Sequence, residues 1–493
     1  MTLRNLRLLT ARTGDFNVLA PVIRASNHLG RGRGYMKLLR LAAYAAAGFC
    51  SVYAGKAAGE QHRSSHRHSH RHHEPRDLAH EVLAANDGWA SLEAGTTGGS
   101  AAVPEQIYVA TTRAELIVAL NDGVIPTTTT PSAAAKIIYI DGTIDFNVDD
   151  ADQPLGCADY YRDGYTPEAF AAAFDPALWG RANPSGPLEA ARVASQQAQQ
   201  SRIRIRVGSN TTIVGVGSRA TLRGAWLDIR GTAAANVSNI IVRNLTIEDT
   251  FDCFPQWSPT DGALGAWNAA YDAISLRNAH HVWIDHNTFR DRLTRDEDQP
   301  SAFGVLFQVH DGEVDITNAS DLVTVSYNRF WNHDKVMLIG SSDGAVADRG
   351  LLRVTLHHNW FKNTGQRTPR VRFGQVDIFN NYYDQGDHPA YDYSWGAGIE
   401  SAIVAENNFF AVGPSITPAL FISRLNGTAL FESGTLVKSG RHRDEVDVVS
   451  AWNAANDPDL TEEVGWSPTL RARLDRTRWV PSIVRGQSGP SCW

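Results

Sequence analysis

Val323-Thr-Val-Ser-Tyr-Asn328-Arg-Phe330 is a short β-branched run closed by an asparagine and an aromatic residue. The pattern returns as Val282-Trp-Ile-Asp-His-Asn287-Thr-Phe289 and as Val354-Thr-Leu-His-His-Asn359-Trp-Phe361. Shorter versions end at Asn244-Leu, Asn381-Tyr-Tyr383 and Asn408-Phe-Phe410. These asparagines stand 43, 41, 31, 22 and 27 residues apart. Recurrence at such a period marks a solenoid or an array, and alternation of period two makes the unit a strand. The 22-residue step holds one bare coil of three short strands, and the longer steps carry loop insertions. A propeller, with blades of about 40–50 residues, does not fit that short step. Stacked coils place the asparagines above one another at a bend. There their amides hydrogen-bond along a ladder and to the turn backbone, and the aromatics that follow stack beside it.

Outward from this repeat, the chain of 493 residues is long enough for a large core, and 43% hydrophobic with 20% charged residues suits a globular protein. A net charge of −7 argues against a general nucleic-acid binder, whose footprint is basic. Ahead of the repeat, Thr112 to Leu120 reads as a short helix, Lys136 to Ile140 as a strand, and Thr166 to Gln200 as helices and loops. Met36-Lys-Leu-Leu-Arg-Leu41 opens a basic and then apolar run that ends in small residues at Val52-Tyr-Ala54. This is signal-peptide grammar, and the run is shorter than the roughly 20 residues of a membrane span. The expected organisation is an upstream extension at 1–35, a signal peptide at 36–54, a His-rich disordered linker at 55–87 and one domain at 88–493. The tract His62 to His73 reads as solvated linker rather than a metal site. Cys50 falls in the leader; the other three cysteines allow one disulfide with a spare thiol or none, and Cys253 with Cys492 is the pairing guessed, since spacing does not fix it.

The chemistry concentrates between His310 and Gly374. In Asp311-Gly-Glu-Val-Asp315, strand alternation puts 311, 313 and 315 on one face. Same-face acids repel one another, and a hard cation such as calcium relieves that. The EF-hand ligand pattern is absent. Asp272 lies about one looped coil earlier, Lys335 one coil later, and Arg367 and Arg372 one further. Coils stack about 4.8 Å apart, so Asp272, Asp311, Asp315, Lys335, Arg367 and Arg372 can share one groove. Asp285-His286 and His357-His358 look catalytic in isolation, but His286 reads as a buried hydrogen-bonding residue beside the asparagine repeat.

From residue 88 to 493 the chain resembles a secreted pectate lyase of the large parallel β-helix polysaccharide lyase family. The matching stretches are Gly208-Ser-Asn-Thr-Thr-Ile-Val-Gly-Val-Gly217, Phe254-Pro-Gln-Trp-Ser-Pro-Thr-Asp261, Val282-Trp-Ile-Asp-His286, Asn332-His-Asp-Lys335 and Arg367-Thr-Pro-Arg-Val-Arg-Phe-Gly374. The resemblance implies an all-β, right-handed parallel β-helix with long loop insertions and a few short helices. It implies calcium as cofactor, held by Asp272, Asp311 and Asp315, with Arg367 as the base and Lys335 and Arg372 as substrate clamps. Asp261 is implied as a ligand only with substrate, and Glu313 carries no implied role and reads as rim charge. Some relatives have a further acid where Ala270 stands here, which bears on how many calcium ions bind.

The implied reaction is β-elimination in α-1,4-linked polygalacturonate, the pectate of plant cell wall. It leaves 4,5-unsaturated ends and is carried out by a secreted, monomeric enzyme with no membrane attachment in its mature form. A lyase preferring methyl-esterified pectin needs no calcium bridge, and the intact acids argue against it. A non-catalytic cell-wall-binding β-helix would not need Arg367, Lys335 and Arg372 together. A hydrolase with paired carboxylates would leave saturated ends.

Overall fold

The computed structural model describes residues 77–126 and 130–492. The expected leader, most of the linker, the His-rich tract and Cys50 lie outside the described residues. Three long sheets run side by side along one axis, two of ten strands and one of eight. Every pairing within them is parallel except that of the last strand, His442–Glu445, which turns back on Leu436–Ser439. The chain visits the sheets in rotation. Ile274–Arg277, Ala279–Asp285 and Thr288–Arg290 make one coil, and Val314–Thr317, Asp321–Ser326 and Arg329–Lys335 make the next. The fold is a right-handed parallel β-helix.

Local sequence explains each coil. In Val323-Thr-Val325 and Val354-Thr-Leu356 the odd members of each triplet point inward and are fully buried. Register stacks them, with Val323 opposite Val354, Val354 opposite Val376 and Val376 opposite Ile403. Each such buried aliphatic side chain contributes about 1.5–3 kcal/mol. At the following bend Asn287, Asn328, Asn359, Asn381 and Asn408 are completely buried and form the expected ladder. The Asn328 amide donates to Asn359 Oδ1 at 3.1 Å and to the Ile284 carbonyl at 2.9 Å. Asn359 repeats this with Asn381 and Val325, and Asn381 with Asn408 and Leu356. Two residues on, Phe289, Phe330, Phe361, Tyr383 and Phe410 stack face to face with centroids 4.2–5.2 Å apart.

The insertions are helical where expected. Arg113–Leu120 is capped by Thr112, and Pro167–Ala173, Pro176–Trp179 and Pro187–Ile203 each begin with proline. Proline suits a first helical turn because its missing N–H has no partner there. Two expectations are corrected. Cys253 pairs with Cys157, not Cys492, at a Cα separation of 5.5 Å. The bond ties the helical insertion to an aromatic cluster of Tyr165, Phe254, Trp257 and Trp267. Packing also begins no later than Leu78, inside the expected linker. Leu78, Ala79 and Leu83 are buried, and the Leu78 carbonyl accepts from Arg243. Their apolar side chains offset the ordering entropy that a polar tract cannot.

Candidate active site

The turn that enters the eight-stranded sheet recurs on every coil, and chemistry gathers there. Asp272 precedes Ile274–Arg277, Asp311 precedes Val314–Thr317, Lys335 ends the strand before Leu338–Ile339, and Arg367 lies just before Arg370–Val371. Backbone bonds hold these turns in step: Ala273 N–H donates to the Gly312 carbonyl and Met337 N–H to the Arg367 carbonyl. Arg367 adopts a left-handed φ of 59° to make its turn.

Two carboxylates converge on Gly312. Its N–H donates to Asp272 Oδ1 at 3.1 Å, and a Cβ placed there would lie 2.3 Å from Asp315 Oδ1 and 3.0 Å from Asp272 Oδ1. Only glycine fits. Asp272 and Asp315 are buried, while Asp311 keeps 29% of its side chain exposed. Burial, and then the Asp315 and Asp311 charges, hold Asp272 well above the usual carboxylate range. Burial and then Asp311 push Asp315 up to about 7. Facing them, Lys335 Nζ lies 4.0 Å and Arg367 Nη1 3.9 Å from Asp311 Oδ1. Burial and mutual repulsion oppose ionisation of these crowded carboxyls, and the two cations approach only Asp311, so a bound cation would relieve the crowding. An oxygen-only donor set of this kind fits a hard divalent ion such as calcium.

Not every candidate joins this cluster. Arg372 lies on the same sheet but pairs with Asp343 at 2.6 Å and donates to the Gly340 carbonyl at 2.9 Å. Asp261 is exposed and accepts from Asn268 at 3.2 Å, and among the described residues it makes no ion pair.

A family model described as pectate lyase matches residues 183–453. A curated pectate lyase of Bacillus subtilis (strain 168) is 42% identical over 418 residues, covering 84% of this chain and 94% of that protein. The chain belongs to the pectate lyase family. Pectate lyase E of Dickeya dadantii (strain 3937) is 37% identical over 67% of this chain and 68% of that protein. Among solved structures, a thermostable pectate lyase superposes with a TM-score of 0.81 at 46% identity, covering 85% of this chain and all of that one. A pectate lyase bound to a hexasaccharide gives 0.77 at 41% identity, covering 84% and 99%. This lyase is thus an enzyme of the polysaccharide lyase class.

The lyase also holds a second layer that sequence reading missed. Glu313 is not rim charge: it is only 4% exposed and lies 3.5 Å from His333 Nδ1. Strand geometry begins at Val314, so alternation does not govern residues 311–313. His333 Nδ1 lies 2.8 Å from Asp291, and its Nε2 lies 2.8 Å from the Asp311 carbonyl. Burial alone would lower the His333 pKa, but the Asp291 and Glu313 carboxylates hold it well above the ordinary value. As an imidazolium it donates from both nitrogens and pins the backbone of Asp311. Asp291, Glu313 and His333 also lie close enough together to hold a metal ion, but only with the imidazole neutral, so the imidazolium form excludes one there. The motif Asn332-His-Asp-Lys335 signalled His333, but not the partners brought to it from other coils.

His286 proves half-exposed rather than buried, with 23% of its side chain accessible. It lies 2.8 Å from Asp285 and stacks on Tyr327, which stacks in turn on His358. This column runs along the outside of a ten-stranded sheet and serves structure.

Proposed function

We propose that this enzyme is a calcium-dependent pectate lyase that cleaves α-1,4-linked polygalacturonate by β-elimination, acting outside the cell as a monomer after removal of its leader. The crowding of Asp272, Asp311 and Asp315 against Lys335 and Arg367 in one groove carries the reading. The three aspartates would hold the ion, which when bound supplies positive charge that neutralises acid groups of protein and sugar.

Arg367 sits at the exposed edge of the acids, with a buried Nε that has no hydrogen-bond partner. The proton on C5 of the sugar, next to the carboxylate carbon, is removed by Arg367 in its neutral guanidine form, which becomes the guanidinium. The electron pair forms the double bond between C4 and C5 as the bond from C4 to the glycosidic oxygen breaks, and the leaving oxygen takes a proton from solvent. Lys335 donates to a substrate carboxylate and stabilises the charge that develops beside it. Arg372 is a clamp once a sugar carboxylate competes with Asp343 for its guanidinium.

The test is to incubate the protein with polygalacturonate and follow ultraviolet absorbance of unsaturated ends, with and without chelator. Methyl-esterified pectin serves as the competing substrate. Absorbance that rises only with calcium, and faster on the unesterified polymer, is expected. Saturated products, or activity indifferent to chelator, would overturn it.

A further inference from the structure

The groove sheet carries arginines beyond the acids. Its outward positions fall in columns set by the strand register. One column runs Arg230, Arg277 and Thr317, each directly paired with the next, and reaches Arg372 by way of the strand Leu338–Ile339. Ile274 and Leu276 point into the core and are fully buried, so Arg277 points out of the sheet and is half-buried. It lies one coil on the N-terminal side of Asp315, and its charge acts on that carboxylate. Among the described residues the Arg277 guanidinium has no ion pair within 4.0 Å and no hydrogen bond, while its backbone carbonyl accepts from Gly231 N–H. The contrast with its neighbours is sharp. Arg230 donates to Asp228 Oδ1 at 3.1 Å, Arg206 Nε lies 3.6 Å from Asp228 Oδ2, and Arg372 holds Asp343.

No nitrogen of the Arg277 guanidinium is buried without a partner, so it faces solvent and is free to form charge-assisted bonds with an incoming anion. Arg372 and Arg277 stand three strand steps apart, about 14 Å at roughly 4.8 Å per step. An extended polyanion lying along the axis meets both.

We propose that Arg277 is a distal subsite that binds a carboxylate of the galacturonate chain on the N-terminal side of the acid cluster. The inference rests on the groove holding polygalacturonate. It predicts that only chains long enough to span from Arg367 to Arg277 gain from the site.

The experiment compares wild type with Arg277→Ala on galacturonate oligomers from trimer to octamer and on the polymer. Because Arg277 has no partner, truncation leaves no buried group unpaired, and melting should be unchanged. KM for long oligomers should rise about tenfold with kcat retained, while the shortest substrates show no change. Arg277→Lys should recover part of the loss. The half-saturating calcium concentration should not rise. Equal loss at every length, or a raised calcium requirement, would assign Arg277 to the acid cluster and overturn the subsite. No loss at any length would overturn it as well. If wild type fails to convert any galacturonate chain, the substrate reading itself is wrong and the subsite falls with it.

Discussion

Single side chains at the turn into the eight-stranded sheet carry the proposed chemistry. Asp315 accepts from Leu338 N–H at 3.0 Å and crowds Gly312, so Asp315→Asn keeps the shape but removes a charge. The calcium needed for half-maximal rate should rise by at least tenfold in Asp315→Asn and in Asp311→Asn. An unchanged calcium titration in both would remove these residues from the metal site. Arg367→Lys separates a base from a clamp. The positive charge survives, but the planar fork and its reach do not. A proton-abstracting group must lie within about 2.6–3.2 Å of its target. Turnover should therefore fall by at least a hundredfold while oligogalacturonate still binds in calcium. Substantial kcat at saturating substrate, with weakened binding, would mark Arg367 as a clamp only.

At the scale of the element, the asparagine ladder joins one coil to the next. Asn359 is the middle rung. Its Oδ1 accepts from the Asn328 backbone N–H and side-chain amide, and its Nδ2 donates to Val325 and Asn381. Asn359→Ala orphans the Asn328 N–H inside a dry bend, at about 1–3 kcal/mol, and also removes the rung to Asn381, for which Asn408 has no counterpart among its bonds. Asn408 ends the run of paired rungs: it accepts from Asn381 and donates to the Ile378 carbonyl. Denaturant unfolding should show a loss of about 3 kcal/mol for Asn359→Ala and a smaller one for Asn408→Ala. Equal effects would mean that the rungs act singly rather than as a ladder.

Two predictions concern the whole molecule. The Cys157–Cys253 bond closes a loop of 96 residues that carries the three-helix insertion. Replacing both cysteines by serine should cost about 2–4 kcal/mol, read as a lower melting temperature in the absence of reductant. Acid should also weaken the fold through His358. Burial, and then the adjacent His357, lower its pKa to about 4 against an ordinary 6.5, with Asp475 opposing. The folded protein thus binds fewer protons there than the unfolded chain, so stability rises with pH across that window. The contribution is complete above about pH 6.5 and is lost as pH falls to about 4, amounting to at most about 3 kcal/mol. His358→Phe keeps the stack on Tyr327 without a titrating ring, and the pH dependence of unfolding should be flatter in this variant. An identical pH profile would assign the acid sensitivity elsewhere.

Much of this protein was legible in its sequence because a solenoid repeats a local rule. The β-branched alternation, the asparagine at each bend and the aromatic two residues later recur often enough to specify coils, ladder and stack without any long-range information. The same stacking brings Asp272, Asp311, Lys335 and Arg367 to equivalent turns, so the juxtaposition of these candidates followed from counting coils. What escaped depends on contacts that the repeat does not encode. Glu313 belongs to a turn outside strand alternation, and its burial is set by His333 and Asp291 arriving from other coils. Cys253 finds Cys157 because a helical insertion folds back over the aromatic cluster, a closure that spacing cannot reveal. The partners of the arginines are likewise tertiary. Arg372 meets Asp343 and Arg230 meets Asp228, while Arg277 in the same column meets no carboxylate among the described residues. Periodic local sequence determined the scaffold; pairing across insertions, where charge is compensated or left open only after the chain closes, was decided by the tertiary structure.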